Sequence, residues 1–218
     1  MTWVSQNVSL VAQLTLNHLL ISLIPIVLGT FAGAALARVL PGKSAAVAAV
    51  LLSAVFAIPS LALFVLLPTL LGTPLLGPTN VIIALTIYAV STVYFAARAT
   101  FSSLDTATLR ISQAQGFSAW QRFVHVELPL ASPGLLAAMR VVAASTISLA
   151  SIGAVVGVKN LGYLFLDGFQ RRIPEEIVTG IVITALLALL FDISIALISR
   201  RISPWQRSTQ NEMRLGHV

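Results

Sequence analysis

The sequence predicts an all-α integral membrane protein with about five transmembrane helices. Three observations carry this reading. Of the 218 residues, 57% are hydrophobic and only 9% charged, against the roughly 25% charged residues that keep a soluble domain wet. The apolar residues stand in runs long enough for a helix to cross a hydrocarbon layer about 30 Å thick. The basic residues gather between and after those runs, as orientation signals do, and form no stripe suited to nucleic acid.

Five spans follow in order, at about 18–37, 45–71, 80–97, 141–158 and 177–199, within one transmembrane domain covering residues 1–218. The residues before the first span hold no basic n-region, so that span reads as a retained helix and not a cleaved signal. The second contains Pro59 and Pro68, which remove backbone donors and should kink it or end it early; Pro74 and Pro78 mark the turn after it. Gly29 with Gly33 in the first span and Gly153 with Gly157 in the fourth offer GxxxG faces for close helix packing. A tail at 200–218 follows the fifth span.

Counting basic residues in the connections orients the chain. Arg38, Lys43, Arg98, Arg110, Arg122, Arg140, Arg200, Arg201, Arg207 and Arg214, ten of the thirteen, fall on one side. Lys159, Arg171 and Arg172 fall on the other, offset by Asp167, Glu175 and Glu176. The ten-residue side is expected to be cytoplasmic, with the N-terminus outside, the C-terminus inside, and Trp3 and Trp205 near opposite interfaces.

Catalytic and metal chemistry find no foothold. There is no cysteine, and His18, His125 and His217 lie far apart without ligand spacing. Pro41-Gly42-Lys43-Ser44 imitates the end of a phosphate loop, but Ala37 stands where its first glycine belongs and no strand precedes it. No catalytic residue and no metal ligand is assigned.

The stretch 98–140 is far longer than the link of two to eight residues that joins helices in a bundle. Leu104-Asp105-Thr106 reads as a helix start, Gly116 as a break, and Ser118 as the cap of a second short helix to about His125, stopped before Pro129. Such a helix-turn-helix would lie at the membrane surface and present Phe117 and Trp120 to a cytoplasmic partner.

These residues resemble a known family. Gly116, Val126, Leu128 and Pro129 are similar to the later part of the signature loop of bacterial ABC importer permeases, although Arg110-Ile111-Ser112 stands where the family usually shows Glu-Ala-Ala. The resemblance covers roughly residues 53–200 and lies nearest the osmoprotectant branch. It includes Ala57-Ile58-Pro59-Ser60-Leu61-Ala62-Leu63-Phe64, Ile152-Gly153-Ala154, Leu161-Gly162-Tyr163-Leu164-Phe165 and the run from Ala185 to Asp192.

The resemblance implies a type I ABC importer permease fold, like that of methionine permeases, in the inner membrane of a bacterium. It implies a coupling loop built on Gln113, Gly116, Phe117, Trp120, Gln121, Leu128 and Pro129. The implied partners are two ATP-binding subunits that carry the ATP and Mg, a second permease, identical or homologous, and an extracytoplasmic substrate-binding protein. The implied cargo is a small osmoprotectant such as glycine betaine, choline, carnitine or proline; another small solute such as an amino acid is the alternative. A secondary transporter is disfavoured, because five spans with one acid offer neither paired repeats nor ion-coupling groups.

That one acid inside a span is Asp192, and an isolated carboxylate in lipid needs a partner. Arg140, at a matching depth near the start of the fourth span, is the candidate for a structural charge pair; a role in substrate passage and a lone protonated acid stay open. Ser60, Tyr88, Ser91, Ser145, Ser148 and Ser151 are candidates for the path, each with helix–helix hydrogen bonding as its plainer role. The outer segment 159–176 reads as a loop or short re-entrant turn, suited either to docking a binding protein or to simple connection.

Overall fold

With no proline or glycine between residues 8 and 24 to interrupt it, the first apolar run winds into one long helix in the computed structural model, which describes residues 2–74 and 77–204. A short helix α1 (Thr2–Gln6) precedes α2 (Val8–Val39). Asn7 divides them, its side-chain amide donating to the Trp3 carbonyl at 2.9 Å. The helix therefore begins ten residues before the expected boundary at 18, and Leu14, in that added stretch, is buried.

The second apolar run is no single rod. It divides into α3 (Gly42–Phe56) and α4 (Ser60–Leu71), bent by 105° at a break that ends on Pro59. Proline pushes the residue before it out of the helical region and supplies no donor, so the chain turns sharply there. Gly72, at φ +65°, ends α4 in the left-handed conformation that glycine adopts without strain.

Helix α5 (Pro78–Ser102) starts on a proline, whose missing N–H would be unbonded in a first turn anyway. It forms the centre of the bundle, with Val81, Ala84, Leu85, Val93 and Ala97 fully enclosed. Helix α2 lies along it through Gly29 and Gly33. A Cβ at Gly29 would stand 2.2 Å from the Ala89 Cβ, and one at Gly33 would stand 2.8 Å from the Val90 carbonyl. Gly29→Val is expected to cost about 3 kcal/mol by overpacking, read as a lower unfolding temperature of the detergent-purified protein; an unchanged temperature would mean that the two helices are not in such close contact.

The next stretch contains α6 (Thr106–Ala114), α7 (Ala119–Arg122), a π-helical turn (Phe123–Glu127) and α8 (Leu128–Ala150). The short helix expected to stop before Pro129 instead runs on into the span. A proline at 129 lacks the N–H that would bond to residue 125 and crowds that carbonyl. The π turn absorbs this misfit by shifting the ladder one residue, so that the Leu128 N–H bonds to the Phe123 carbonyl.

After Ala150 the backbone tightens into a 3-10 stretch (Ser151–Val156), followed by α9 (Gly162–Arg171) and α10 (Pro174–Ile202). The Gly153 and Gly157 pair is thus not a helix face. Gly157, at φ +82°, caps the 3-10 turn, while Gly153 packs near Val81 and Asn160. The segment 159–176, expected to be a loop or short re-entrant turn, contains the ten-residue helix α9.

Among the described residues, α2, α5, the continuous elbow with α8, and α10 are long and apolar enough to cross a membrane, and the bent α3–α4 pair would make a fifth span. Helix α10 leaves Leu186, Leu189, Leu190, Ile193 and Leu197 exposed. Such a face suits lipid or a neighbouring subunit and would be anomalous in water. Trp205, Arg207, Arg214 and His217, with the tail beyond residue 204, lie outside the described residues.

Candidate functional site

The elbow between α5 and α8 is built by local capping. The Asp105 carboxylate accepts from the Ala107 N–H at 3.0 Å and the Thr108 N–H at 3.3 Å, opening α6. These bonds and the Thr108 hydroxyl hold its carboxyl below the ordinary Asp value. The cap is therefore fully formed at neutral pH and is lost only as pH falls through that lowered value.

At the far end of α6, the Phe117 N–H bonds to the Ser112 carbonyl at 3.2 Å and the Gly116 N–H to the Gln113 carbonyl at 3.0 Å. This is a Schellman turn with Gly116 at φ +83°. A capping box then starts α7. The Gln121 N–H donates to the Ser118 hydroxyl at 3.2 Å, and the Ser118 N–H donates to the Gln121 side-chain oxygen at 2.9 Å.

Between these two fixed ends the elbow shows aromatic surface to the outside. Trp120 is 71% exposed and Phe117 38%. Trp120 leans on Phe123 at 5.8 Å between ring centroids, and Phe117 meets the His125 ring edge-on at 6.5 Å. Gln113 and Gln121 are exposed, Leu128 is 37% exposed and Pro129 is half-buried. The helix leaves the elbow without a break into α8, so a push on Trp120 meets a rod and not a hinge loop.

Arg140 and Asp192 come together as a two-armed pair between α8 and α10. Nε reaches Oδ1 at 2.6 Å and an Nη reaches Oδ2 at 2.8 Å. Both side chains keep much of their surface open, 46% for Arg140 and 37% for Asp192. Asp192 lies ten residues from the end of α10 at Ile202, about 15 Å along the axis.

The path candidates separate into two groups. Tyr88 donates its hydroxyl to the Ile58 carbonyl, at the bend between α3 and α4. Ser91 is fully buried and donates to the Ile87 carbonyl at 3.0 Å. Both are enclosed in helix packing. Ser60 is half-buried in the first turn of α4, and the Ser151 hydroxyl is enclosed without a hydrogen-bond partner. Ser145 and Ser148, three residues apart on the open face of α8, share that face with Arg140.

Three residues escaped the sequence reading. His18 is fully buried, with Nε2 at 3.0 Å from the Ile147 carbonyl, and ties α2 to α8. Asn160 is fully buried between α8 and α9, donating to the Ala150 carbonyl at 2.9 Å and accepting from the Gly162 N–H at 2.7 Å. Glu127 is buried beneath the elbow between Arg38 and Arg122. The available signal for Glu127 was an acid directly before Leu128-Pro129, between Arg122 and Arg140.

An all-helical membrane bundle with a rigidly mounted, aromatic elbow at its basic end is the build of a transport permease. The family model described as "Binding-protein-dependent transport system inner membrane component" matches residues 26–207, and the chain belongs to that family. It is 31% identical over 208 residues to the glycine betaine/carnitine/choline transport system permease protein OpuCB of Bacillus subtilis (strain 168), covering 94% of each chain. It is also 31% identical over 209 residues to the choline transport system permease protein OpuBD of the same organism, covering 94% of this chain and 90% of that one. Among solved structures, the fold matches a chain of the MetNI methionine ABC transporter, in inward-facing conformation, with a TM-score of 0.75 at 22% identity over 89% of this chain and 97% of that one.

Proposed function

We propose that this permease moves a small zwitterionic or quaternary-ammonium osmoprotectant, of the glycine betaine, choline or carnitine kind, inward across the membrane on the power of a separate ATPase. The observation that carries the substrate class is the 31% identity, along 94% of both chains, to a relative named for glycine betaine, carnitine and choline transport. The exposed Trp120 and Phe117 on a doubly capped elbow support the drive mechanism, because they offer a docking surface continuous with α8. In this reading two ATP-binding subunits hold ATP and Mg beneath the elbow, a second permease completes the path, and an external binding protein selects and delivers the solute. Arg38, Arg98, Arg122, Arg200 and Arg201 gather at the elbow end, which supports a cytoplasmic elbow, an outside N-terminus and an inside C-terminus. Helix α9, at the opposite end, is the proposed seat for the binding protein.

Uptake of labelled glycine betaine by vesicles holding the permease, its ATPase and its binding protein tests the proposal. ATP-dependent accumulation is expected. Accumulation by the permease alone under an ion gradient would overturn the drive mechanism, and ATP-driven uptake of an amino acid without betaine would overturn the substrate class. Gly116→Asp, which forces a side chain into the left-handed region, and Trp120→Ala are both expected to cut uptake about tenfold with the protein still inserted. Unchanged uptake in both would remove the elbow from the coupling route.

A further inference from the structure

We infer that Glu127 is the positioning residue that fastens the elbow to α2, so that displacement of the elbow is delivered to the α2–α5 pair as well as to α8; the functional part of this inference rests on the importer reading above. Its carboxylate is the junction of three elements. Oε2 accepts from Arg38 Nε, in the last turn of α2, at 2.6 Å, and Oε1 accepts from Arg122 Nε, in α7, at 2.9 Å. Glu127 itself closes the π turn from which α8 departs. Its side chain is only 6% exposed, although Arg38 remains 35% exposed beside the cleft. The Arg38 guanidinium also lies 5.7 Å from the centre of the Phe123 ring, a second hold on the same turn.

What α2 receives, α5 must follow. The close approach at Gly29 and Gly33 leaves no room for α2 to slide against α5. At the elbow end, Arg98 of α5 donates to the Leu40 carbonyl at 3.0 Å and holds the end of α2 in place. Contact between α6 and these two helices is loose by comparison. A cleft of about 280 Å³, lined by Ala37, Arg98, Phe101, Leu104 and Leu109, separates them, with Arg38 and Glu127 on its wall. The tie from the elbow to α2 is therefore ionic and directional. Apolar replacement of a buried ion pair is often neutral for stability, but apolar residues slip, whereas a carboxylate held by two guanidiniums keeps one register.

Two measurements test the inference. The chain has no cysteine, so spin labels at Ala107→Cys on α6 and Leu36→Cys on α2 report the elbow-to-α2 distance in the full-length purified permease without background. Glu127→Gln is expected to broaden that distance distribution at least twofold; an unchanged distribution overturns the fastening. In vesicles holding the complete complex, Glu127→Gln is expected to lower solute imported per ATP hydrolysed about tenfold while ATP hydrolysis stays within about twofold. Arg38→Gln should do the same, and the double variant should be no worse than either single one. An unchanged import ratio, or losses that multiply in the double variant, would overturn the delivery of motion through this contact. Broadened distances in Glu127→Gln, together with a wild-type assembly that imports nothing with ATP, would uphold the fastening and reject the importer reading instead.

Discussion

Gly162→Ala is expected to destabilise the native fold severely, although it adds a single methyl group. A Cβ at this position would stand 1.9 Å from the Ser151 carbonyl oxygen and 2.7 Å from its carbon. Both are backbone atoms, so no side-chain rotation relieves the clash. The surroundings cannot yield either, because Asn160 locks this corner by donating to the end of α8 and accepting from the Gly162 N–H. Opening the corner would break both bonds and leave a buried amide unsatisfied, at about 1–3 kcal/mol, in addition to an overpacking cost of about 3 kcal/mol. Together, at about 4–6 kcal/mol, these reach the lower end of the stability of a typical domain, about 5–15 kcal/mol. The fraction of detergent-extracted protein that elutes as a single sharp species, and its unfolding temperature, provide the measurement. A Gly162→Ala protein that purifies and melts like wild type would show that α9 does not lie so close to the 3-10 turn.

The same corner shows what a linear reading can and cannot reach. Leu161-Gly162-Tyr163 was legible as a family pattern, but the need for glycine was not, since the carbonyl that excludes a side chain lies eleven residues earlier. Local signals carried the elbow well. Asp105, Gly116 and Ser118 each act on N–H groups or carbonyls within a few residues, so local residue order placed the caps. Pro129 misled for a related reason: its effect on the preceding turn is local, but whether the chain stops or shifts register depends on how α8 is held within the bundle. Glu127 was only half legible: Arg122 stands five residues before it, but its other partner Arg38 is 89 residues away, and several arginines compete for one acid when only spacing is known. Asp192 presented the opposite case, a single acid in an apolar run with one arginine at matching depth.

Removing one member of the Arg140–Asp192 pair should harm the protein far more than removing both. Each side chain is held by two bonds to the other, at 2.6 and 2.8 Å, on a face that is otherwise Leu-rich along α10 and small along α8. Asp192 lies ten residues inside the end of α10, too deep for a short carboxylate to reach bulk water. Arg140→Met strands the acid and Asp192→Leu strands the guanidinium; each is expected to lower the yield of folded, inserted protein about fivefold. The double variant leaves no charge without a partner and replaces both side chains with apolar ones, so its yield is expected within about twofold of wild type. Quantifying each variant in membranes and after extraction checks this, and a double variant as poor as the single ones would mean that the pair is not simply structural. Uptake by the rescued double variant then separates the two roles that share this face with Ser145 and Ser148. Full transport would confine the pair to holding α8 against α10, whereas a well-folded double variant without transport would place the two charges on the route of a zwitterion, whose carboxylate and cationic nitrogen they are able to meet in turn.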